Sequence, residues 1–412
     1  MKQLVQLFFS RGMSVVCAYV FTLSITTHLP TNDAGVFFMA VNILSLLILF
    51  VKFGQDQIII RRLSSVNHQS NKEQIGFIIS SSFFVLFFLS ILVYTIWAIF
   101  GEYIFVKYLE KNLLYDTSKY VIISVLPVSI IFVISGILKS FDKQGLANFI
   151  ETGMLPLFMV VVILLCKNDI ILYSKAYLLC SIIIVIILIS YIKKYFRIHR
   201  LEPLVDVSSF RSGYVLMLAA IMNYSLITFP VFVVMYFHTN SDVALLNVSL
   251  KLSFIISVVI TIFNSLVAPK FVALHSINSI KALKIYYYKM RNGMIITVLF
   301  PVIFLFVFSS EVLNLFGVDY VSAIVSLRIL LVAQFISVLT GTTGTFLSMV
   351  SEEKTFRKNV FISFVFGLPF GVLMIKYYGL NGAALAISFS IVLENILSYF
   401  SIRQYFKANS FE

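Results

Sequence analysis

The sequence predicts an all-α polytopic membrane protein with twelve transmembrane helices in two six-helix lobes. Three observations carry this expectation. Sixty per cent of the 412 residues are apolar and only 12% are charged, whereas soluble domains run at about 45–50% and about 25%. The mean hydropathy is +1.00, too high for a soluble globule. Twelve segments are each about 20 mostly apolar residues long, the length a bilayer core demands of a helix. Disorder, nucleic-acid binding and a soluble enzyme are thereby excluded.

The segments follow in order. Span 1 (7–27) comes after Lys2. Arg11 interrupts its apolar run and no small-x-small cleavage site follows, so it is expected to be a retained span rather than a signal peptide. Span 2 (34–54) opens after the turn-rich Leu29-Pro30-Thr31-Asn32-Asp33 and closes on Phe53-Gly54. Spans 3 to 6 are read at 75–99, 119–139, 148–167 and 170–192, with Pro127 and Pro156 in the fourth and fifth. Spans 7 to 10 are read at 213–237, 243–267, 292–316 and 322–349. Pro230, Pro269 and Pro301 lie in or at the ends of spans 7, 8 and 9. Spans 11 (359–377, with Pro369) and 12 (379–401) follow the polar Ser351-Glu352-Glu353-Lys354. Every connection is short, so no loop can fold as a catalytic domain.

Positive charge sets the orientation, because cytoplasmic loops collect Lys and Arg. Of 31 basic residues, 23 fall on the side of the termini and six on the other, counting alternate loops. Both termini are therefore expected in the cytoplasm. Most of the +13 net charge is a topology signal. The two remaining basic residues, Lys251 and Arg328, lie inside spans.

A shift of 208 residues lays Thr31-Asn32 on Thr239-Asn240, Arg62 on Lys270 and Gly136 on Gly344. The expected organisation is a parallel two-fold repeat, with lobes 1–206 and 207–412. Lobes of this kind hold cargo between them and alternate access by rocking. Cys17, Cys166 and Cys180 sit in or beside apolar segments and read as packing residues, without metal-ligand spacing. No cofactor site, P-loop or nucleophilic triad stands out, and an enzyme is not expected.

Short motifs, in order, carry a resemblance. Leu315-Phe316-Gly317-Val318-Asp319-Tyr320 is followed by Ala323 and Leu327-Arg328-Ile329-Leu330, then Gly341 and Gly344. Tyr378-Gly379-Leu380-Asn381-Gly382-Ala383-Ala384 comes next. Earlier stand Asp33-Ala34-Gly35-Val36-Phe37, Phe53-Gly54 and Arg61-Arg62. This order resembles the polysaccharide exporters of the multidrug/oligosaccharidyl-lipid/polysaccharide (MOP) superfamily, in particular the Wzx-type O-antigen flippases. Val243-Ala244-Leu245-Leu246-Asn247 stands where that family has Gly-x-Tyr-x-x-Ala, and here the Gly and Tyr are missing. The resemblance implies a MATE-like fold in the bacterial inner membrane. It implies transfer of an undecaprenyl-pyrophosphate-linked oligosaccharide, the repeat unit of lipopolysaccharide O-antigen, from the cytoplasmic to the periplasmic leaflet. A polymerase and a chain-length regulator of the same pathway would be partners, alongside membrane lipids.

A charge within a bilayer costs about 2.5–3.5 kcal/mol on insertion scales, which makes each one a functional candidate. Lys251 lies about 12 Å into span 8, with Asn247 one turn earlier on the same face, and Arg328 about 9 Å into span 10, at 1.5 Å per residue. Arg11 sits near the cytoplasmic end of span 1. Lys251, Arg328, Arg11 and Asn247 are the expected cargo-binding set, since fixed cations suit an anionic diphosphate. Snorkelling to the interface is the competing account of the three cations. Glu394, Glu151 and Asp33 are candidates for coupling to H+ or Na+; for Asp33, and for Asp242, helix capping explains the position equally well. His28 and His238 read as interfacial, Tyr286-Tyr287-Tyr288 as an interfacial anchor, and Gln334, Ser337, Gly341, Gly344 and Ser348 as a close-packing stripe. The alternatives are a MATE-type drug or cation exporter of the same superfamily and a membrane polymerase or glycosyltransferase. The first wants acidic sites and the second a long catalytic loop.

Overall fold

A computed structural model describes residues 2–64, 72–166, 168–192, 207–277 and 279–409. Among the described residues, 92% are helical and none is in a strand. It forms two compact units, Met1–Ile221 and Met222–Glu412. The expected lobe boundary, 206/207, touches the stretch 193–206, which lies outside the described residues, as do Lys167, Lys193, Lys194, Arg197 and Arg200 of the charge count.

The first unit contains α1 (Lys2–His28), α2 (Thr31–Lys52), the short α3 (Gln55–Ser64) and α4 (Lys72–Glu102). Helix α4 runs on into a π-helical turn, Tyr103–Tyr108. Next are α5 (Asn112–Ile123), α6 (Val125–Ser140), α7 (Gln144–Thr152), α8 (Met154–Leu165) and α9 (Ile170–Ile192). Helix α10 (Val207–Phe237) begins in this unit and ends in the other.

Expected spans 4 and 5 are each bent pairs, α5 with α6 at 42° and α7 with α8 at 43°. Proline explains both bends. Its ring lacks an N–H and clashes with the carbonyl four residues earlier, which is Ile123 for Pro127 and Thr152 for Pro156. The first break is stapled from α4. The Tyr94 hydroxyl donates to the freed Ile123 carbonyl at 2.8 Å and accepts from the Leu126 N–H at 3.3 Å. The carbonyl freed by Pro127 thus keeps a partner, as a backbone acceptor in a spanning segment must.

Between α2 and α3 the chain turns through Phe53 and Gly54, both left-handed, with φ of 45° and 69°. A Cβ on Gly54 would come within 2.8 Å of Leu216 Cβ, and one on Gly213 within 2.7 Å of the Phe53 carbonyl oxygen. The two glycines let α10 press against this turn. Ile58, Ile59 and Leu63 of α3 point inward while Gln57 and Arg61 are exposed, so α3 is amphipathic.

The second unit continues with α11 (Asn240–Ser276), α12 (Ile280–Val307), α13 (Ser309–Asn314) and a 3-10 turn, Val318–Ala323. Then come α14 (Ile324–Thr340), α15 (Thr343–Met349) and α16 (Glu353–Ala408). The last element is a hairpin. Gly379, at φ 54° and ψ −128°, is not helical, and residues on either side of it face each other. Asn359 donates to the hydroxyls of Ser398 and Ser401 at 3.3 and 3.1 Å, and the rings of Phe370 and Phe389 lie 4.4 Å apart. Gly371 faces Ala386, and Gly382 lies directly against the Met374 carbonyl. The arms are expected spans 11 and 12.

Among the described residues, nine helical stretches are long and apolar enough to cross a membrane, or eleven with the two bent pairs; the hairpin counts among these as one. An offset of 208 residues separates the starts of α4 and α12, and comes within one residue for α2 with α11 and α7 with α16.

Three expectations are corrected. Span 9 was placed at 292–316, but α12 starts at Ile280 and ends at Val307. Its first turns carry Lys281, Lys284 and Lys289, which hide a helix from a hydropathy window; Lys270 likewise sits within α11 rather than in a loop. Tyr287 is 1% exposed, so it is not an interfacial anchor. It packs edge-on with Phe346 at 5.1 Å in an aromatic cluster with Phe271 and Phe406. Span 10 is not one helix: Gly341, at φ 90° and ψ −162°, separates α14 from α15. Its packing partner Gly344 does make a close approach, to the ring of Phe356.

The start of α11 shows how capping works here. Thr239, not Asp242, is the N-cap residue. Its hydroxyl accepts from the Asp242 N–H at 3.2 Å, and the Asp242 carboxylate accepts from the Thr239 N–H at 3.2 Å, a reciprocal capping box. Asp33 also lies in the first turn of its helix, behind Pro30 at the cap position. Thr239→Ala should therefore lower stability by about 1 kcal/mol, read as a lower unfolding midpoint in detergent; an unchanged midpoint would remove the cap from the account.

Candidate functional site

Lys251 lies eleven residues after the start of α11, roughly 16 Å along its axis. The helix begins three residues before the apolar run, so Lys251 lies further along it than the spacing from that run implies. Lys251 is part-buried. Asn247, one turn earlier, is buried, and its side-chain amide donates to the Val243 carbonyl at 2.8 Å. The apolar Val243-Ala244-Leu245-Leu246 turn around it is wholly buried, which fixes this part of α11 against its neighbours.

Arg328 is the fifth residue of α14. Its Nε donates to the Ser309 hydroxyl at 3.1 Å and to the Phe306 carbonyl at 3.3 Å, and its guanidinium lies 5.1 Å from the Phe306 ring centre. Phe306 is next to last in α12, where helix carbonyls lack helical partners and a cation is favourable. This geometry gives Arg328 a joint to hold between α14 and the α12–α13 corner.

Glu394 sits part-buried in the second arm of α16. Beside it, Asn395 bridges the break in span 10. Its side-chain oxygen accepts from the hydroxyls of Thr340 and Thr343, both at 3.3 Å, on either side of Gly341. The Tyr287 hydroxyl donates to the Thr340 carbonyl. The broken span is thereby held from α12 and α16 together. This polar locus was not singled out from the sequence; its signal is Thr340-Gly341-Thr342-Thr343, a polar run within an apolar span.

The other candidates lie in the first unit. Glu151 is paired: its carboxylate accepts from Lys139 Nζ, and from the Ser135 hydroxyl at 2.8 Å. Asp33 accepts from the Asn32 side-chain amide at 3.4 Å. Arg11 is part-buried on α1, which packs against α7 and α8. Lys251, Arg328 and Glu394 stand on α11, α14 and α16, which pack against one another. With Asn247 beside Lys251, four of the candidates lie in the second unit and three in the first.

His28 Nδ1 lies 2.9 Å from the Ser24 carbonyl within its own helix, whereas His238 reaches across to the α16 hairpin. Its Nε2 lies 3.0 Å from the Ile375 carbonyl, and its ring packs at the Gly379 turn.

No protein-family model matches the sequence, and no curated protein matches it. Solved structures match over the whole chain. An inward-facing multidrug resistance MATE family transporter of the MOP superfamily superposes with a TM-score of 0.78 at 14% identity, covering 97% of this chain and 95% of that one. The chain has a MATE-like fold. A MATE in complex with MaL6 gives 0.70 at 16% identity, over 100% of this chain and 97% of that one. A MOP superfamily transporter from Pyrococcus furiosus gives 0.71 at 14% identity, over 99% and 96%. At these identities the likeness concerns the fold; residue roles rest on this chain's own geometry.

Proposed function

We propose that this chain is a secondary transporter of MATE type, a multi-pass membrane protein that exports its cargo by alternating access and is not an enzyme. The observation that supports this most is the match of 97% of the chain to a MATE family transporter at a TM-score of 0.78. A twelve-span chain with cytoplasmic termini follows from the charge count and from reading the α16 hairpin as two spans. The exporter couples to an H+ or Na+ gradient, and Glu394 is the carboxylate we assign to that role. Glu151 is a weaker candidate because Lys139 neutralises it.

A second reading concerns the cargo. Lys251, with Asn247 a turn away, places a basic group deep in a spanning helix, which suits an anion. The Pyrococcus furiosus transporter is described as having a binding pocket of reverse polarity that suggests a different function, so the fold admits such a change. On this reading the cargo is an undecaprenyl-pyrophosphate-linked oligosaccharide, flipped in the inner membrane of a bacterium, with a polymerase and a chain-length regulator downstream. Lys251 would then hold the diphosphate, with Arg328 shaping that unit; Arg11 stays a candidate of the first unit.

Two assays separate the readings. Everted vesicles carrying the chain should accumulate ethidium when energised and release it when the ion gradient is dissipated, if the cargo is a drug cation. Deletion of the gene in its own host should instead leave single lipid-linked repeat units on the cytoplasmic leaflet, if the cargo is the oligosaccharide. Absence of both results overturns the transporter assignment.

A further inference from the structure

The first unit contains an apolar cavity of about 170 Å³ between α2 and the end of α4. Leu47 and Phe50 of α2 form one wall, and Val93 and Trp97 of α4 the other. Phe100 and Ile104 complete it and are 50% and 42% exposed, so the cavity lies on an outward-facing flank. Both helices belong to stretches apolar enough to cross a membrane, and an exposed apolar flank on such helices suits contact with hydrocarbon. Trp97 is held in place by two rings, of which Phe105 also lines the cavity. It stacks at 6.0 Å on Tyr115 and touches Phe105 at 5.1 Å. Gly101 is buried in the lining, and a Cβ there would press on the Trp97 ring at 3.0 Å.

The cavity ends where α4 passes into the π-helical turn Tyr103–Tyr108. Such turns insert an extra residue and concentrate at functional sites. An apolar cavity of about 150 Å³ stays dry and takes up small apolar molecules. Left empty, it forfeits the dispersion contacts of all its lining atoms. Water has no polar partners there. The matching material on a bilayer-facing flank is hydrocarbon chain.

We propose that this cavity is a binding site for one acyl chain of a membrane phospholipid, wedged between α2 and α4 beside the π turn. The proposal is independent of what cargo the protein carries. Because the alternative environment of the chain is bilayer hydrocarbon, retention rests on the dispersion contacts of the lining rather than on transfer from water.

The test uses the full chain in phosphatidylethanolamine–phosphatidylglycerol vesicles. A trace phosphatidylcholine bears a diazirine at its chain terminus, and photolabelled peptides are quantified. Expected is labelling of the α4 peptide several-fold above the α9 peptide, whose Ile183 and Ile186 also face outward. Leu47→Trp, which fills the cavity, should bring α4 labelling down to the level of α9 and leave α9 unchanged. Should that variant not fold, Phe50→Ala enlarges the cavity and should raise α4 labelling. Equal labelling of α4 and α9, or labelling indifferent to both variants, overturns the proposal. So does a diazirine-bearing polyprenyl phosphate that labels α4 better than the phospholipid, since the occupant would then be an isoprenoid chain.

Discussion

Lys251→Ala should reduce transport of an anionic cargo about ten- to a hundredfold, the loss expected when a charge-assisted hydrogen bond to the cargo is removed. Lys251→Glu should abolish it, and Lys251→Arg should retain part of it because the charge stays. The sign reverses for a cationic cargo: removing the lysine relieves repulsion, so ethidium export should hold or rise. Protein level provides the control. A lysine near the middle of a span costs about 2.5–3.5 kcal/mol on insertion, so its replacement by alanine should not lower the amount of inserted protein. A fall in transport per inserted molecule is then a loss of function, not of fold. Unchanged transport of lipid-linked oligosaccharide in Lys251→Ala would remove Lys251 from the site and take from the anionic-cargo reading the residue it rests on.

Arg328 should behave differently, and the contrast is informative. Its Nε donates to the Phe306 carbonyl and the Ser309 hydroxyl, so its replacement removes the link from α14 to the α12–α13 corner and leaves the Phe306 carbonyl to the Ser309 hydroxyl alone. The position of both basic residues was legible in the sequence, because a charge in an apolar run is conspicuous. Their different environments were not. Whether a charge meets cargo or a helix end depends on what packs against it, and hydropathy contains no information on packing.

The same distinction separates the parts of the fold that were legible from those that were not. Apolar runs locate the helices, and Pro127 and Pro156 mark the two bends, because a proline acts on its own chain four residues back. The start of α12 was missed by twelve residues, since the lysines in its first turns look like a loop to any count of apolar residues. Tyr287 was misread for a related reason. A Tyr run beside lysines has the composition of an interfacial belt, but a helix turns by about 100° per residue. Of the three, only Tyr287 faces the Phe271–Phe346–Phe406 cluster completely. The break at Gly341 depends on Asn395, 54 positions away in the chain, and no local rule couples the two.

Gly382→Ala should cost at least the upper end of the about 1–3 kcal/mol seen for overpacking, and little folded protein should remain. A Cβ at 382 would overlap the Met374 carbonyl and crowd the Ile375 N–H. A flexible side chain could swing aside from such a contact, but this obstacle is the backbone of the opposing hairpin arm. Relief requires the arms to separate, and separation disturbs every contact between them, from Asn359 with Ser398 and Ser401 to Phe370 with Phe389. Gly12→Ala is the matched control. Nothing lies within 4 Å of a Cβ at that position in α1, so the substitution should stabilise the helix by up to about 1 kcal/mol. The two variants make the same chemical change in helices of one chain, and their unfolding midpoints in detergent should move in opposite directions. A Gly382→Ala protein with the midpoint of the parent would mean that the two arms of α16 do not pack as a hairpin, and the last two spans would have to be placed anew.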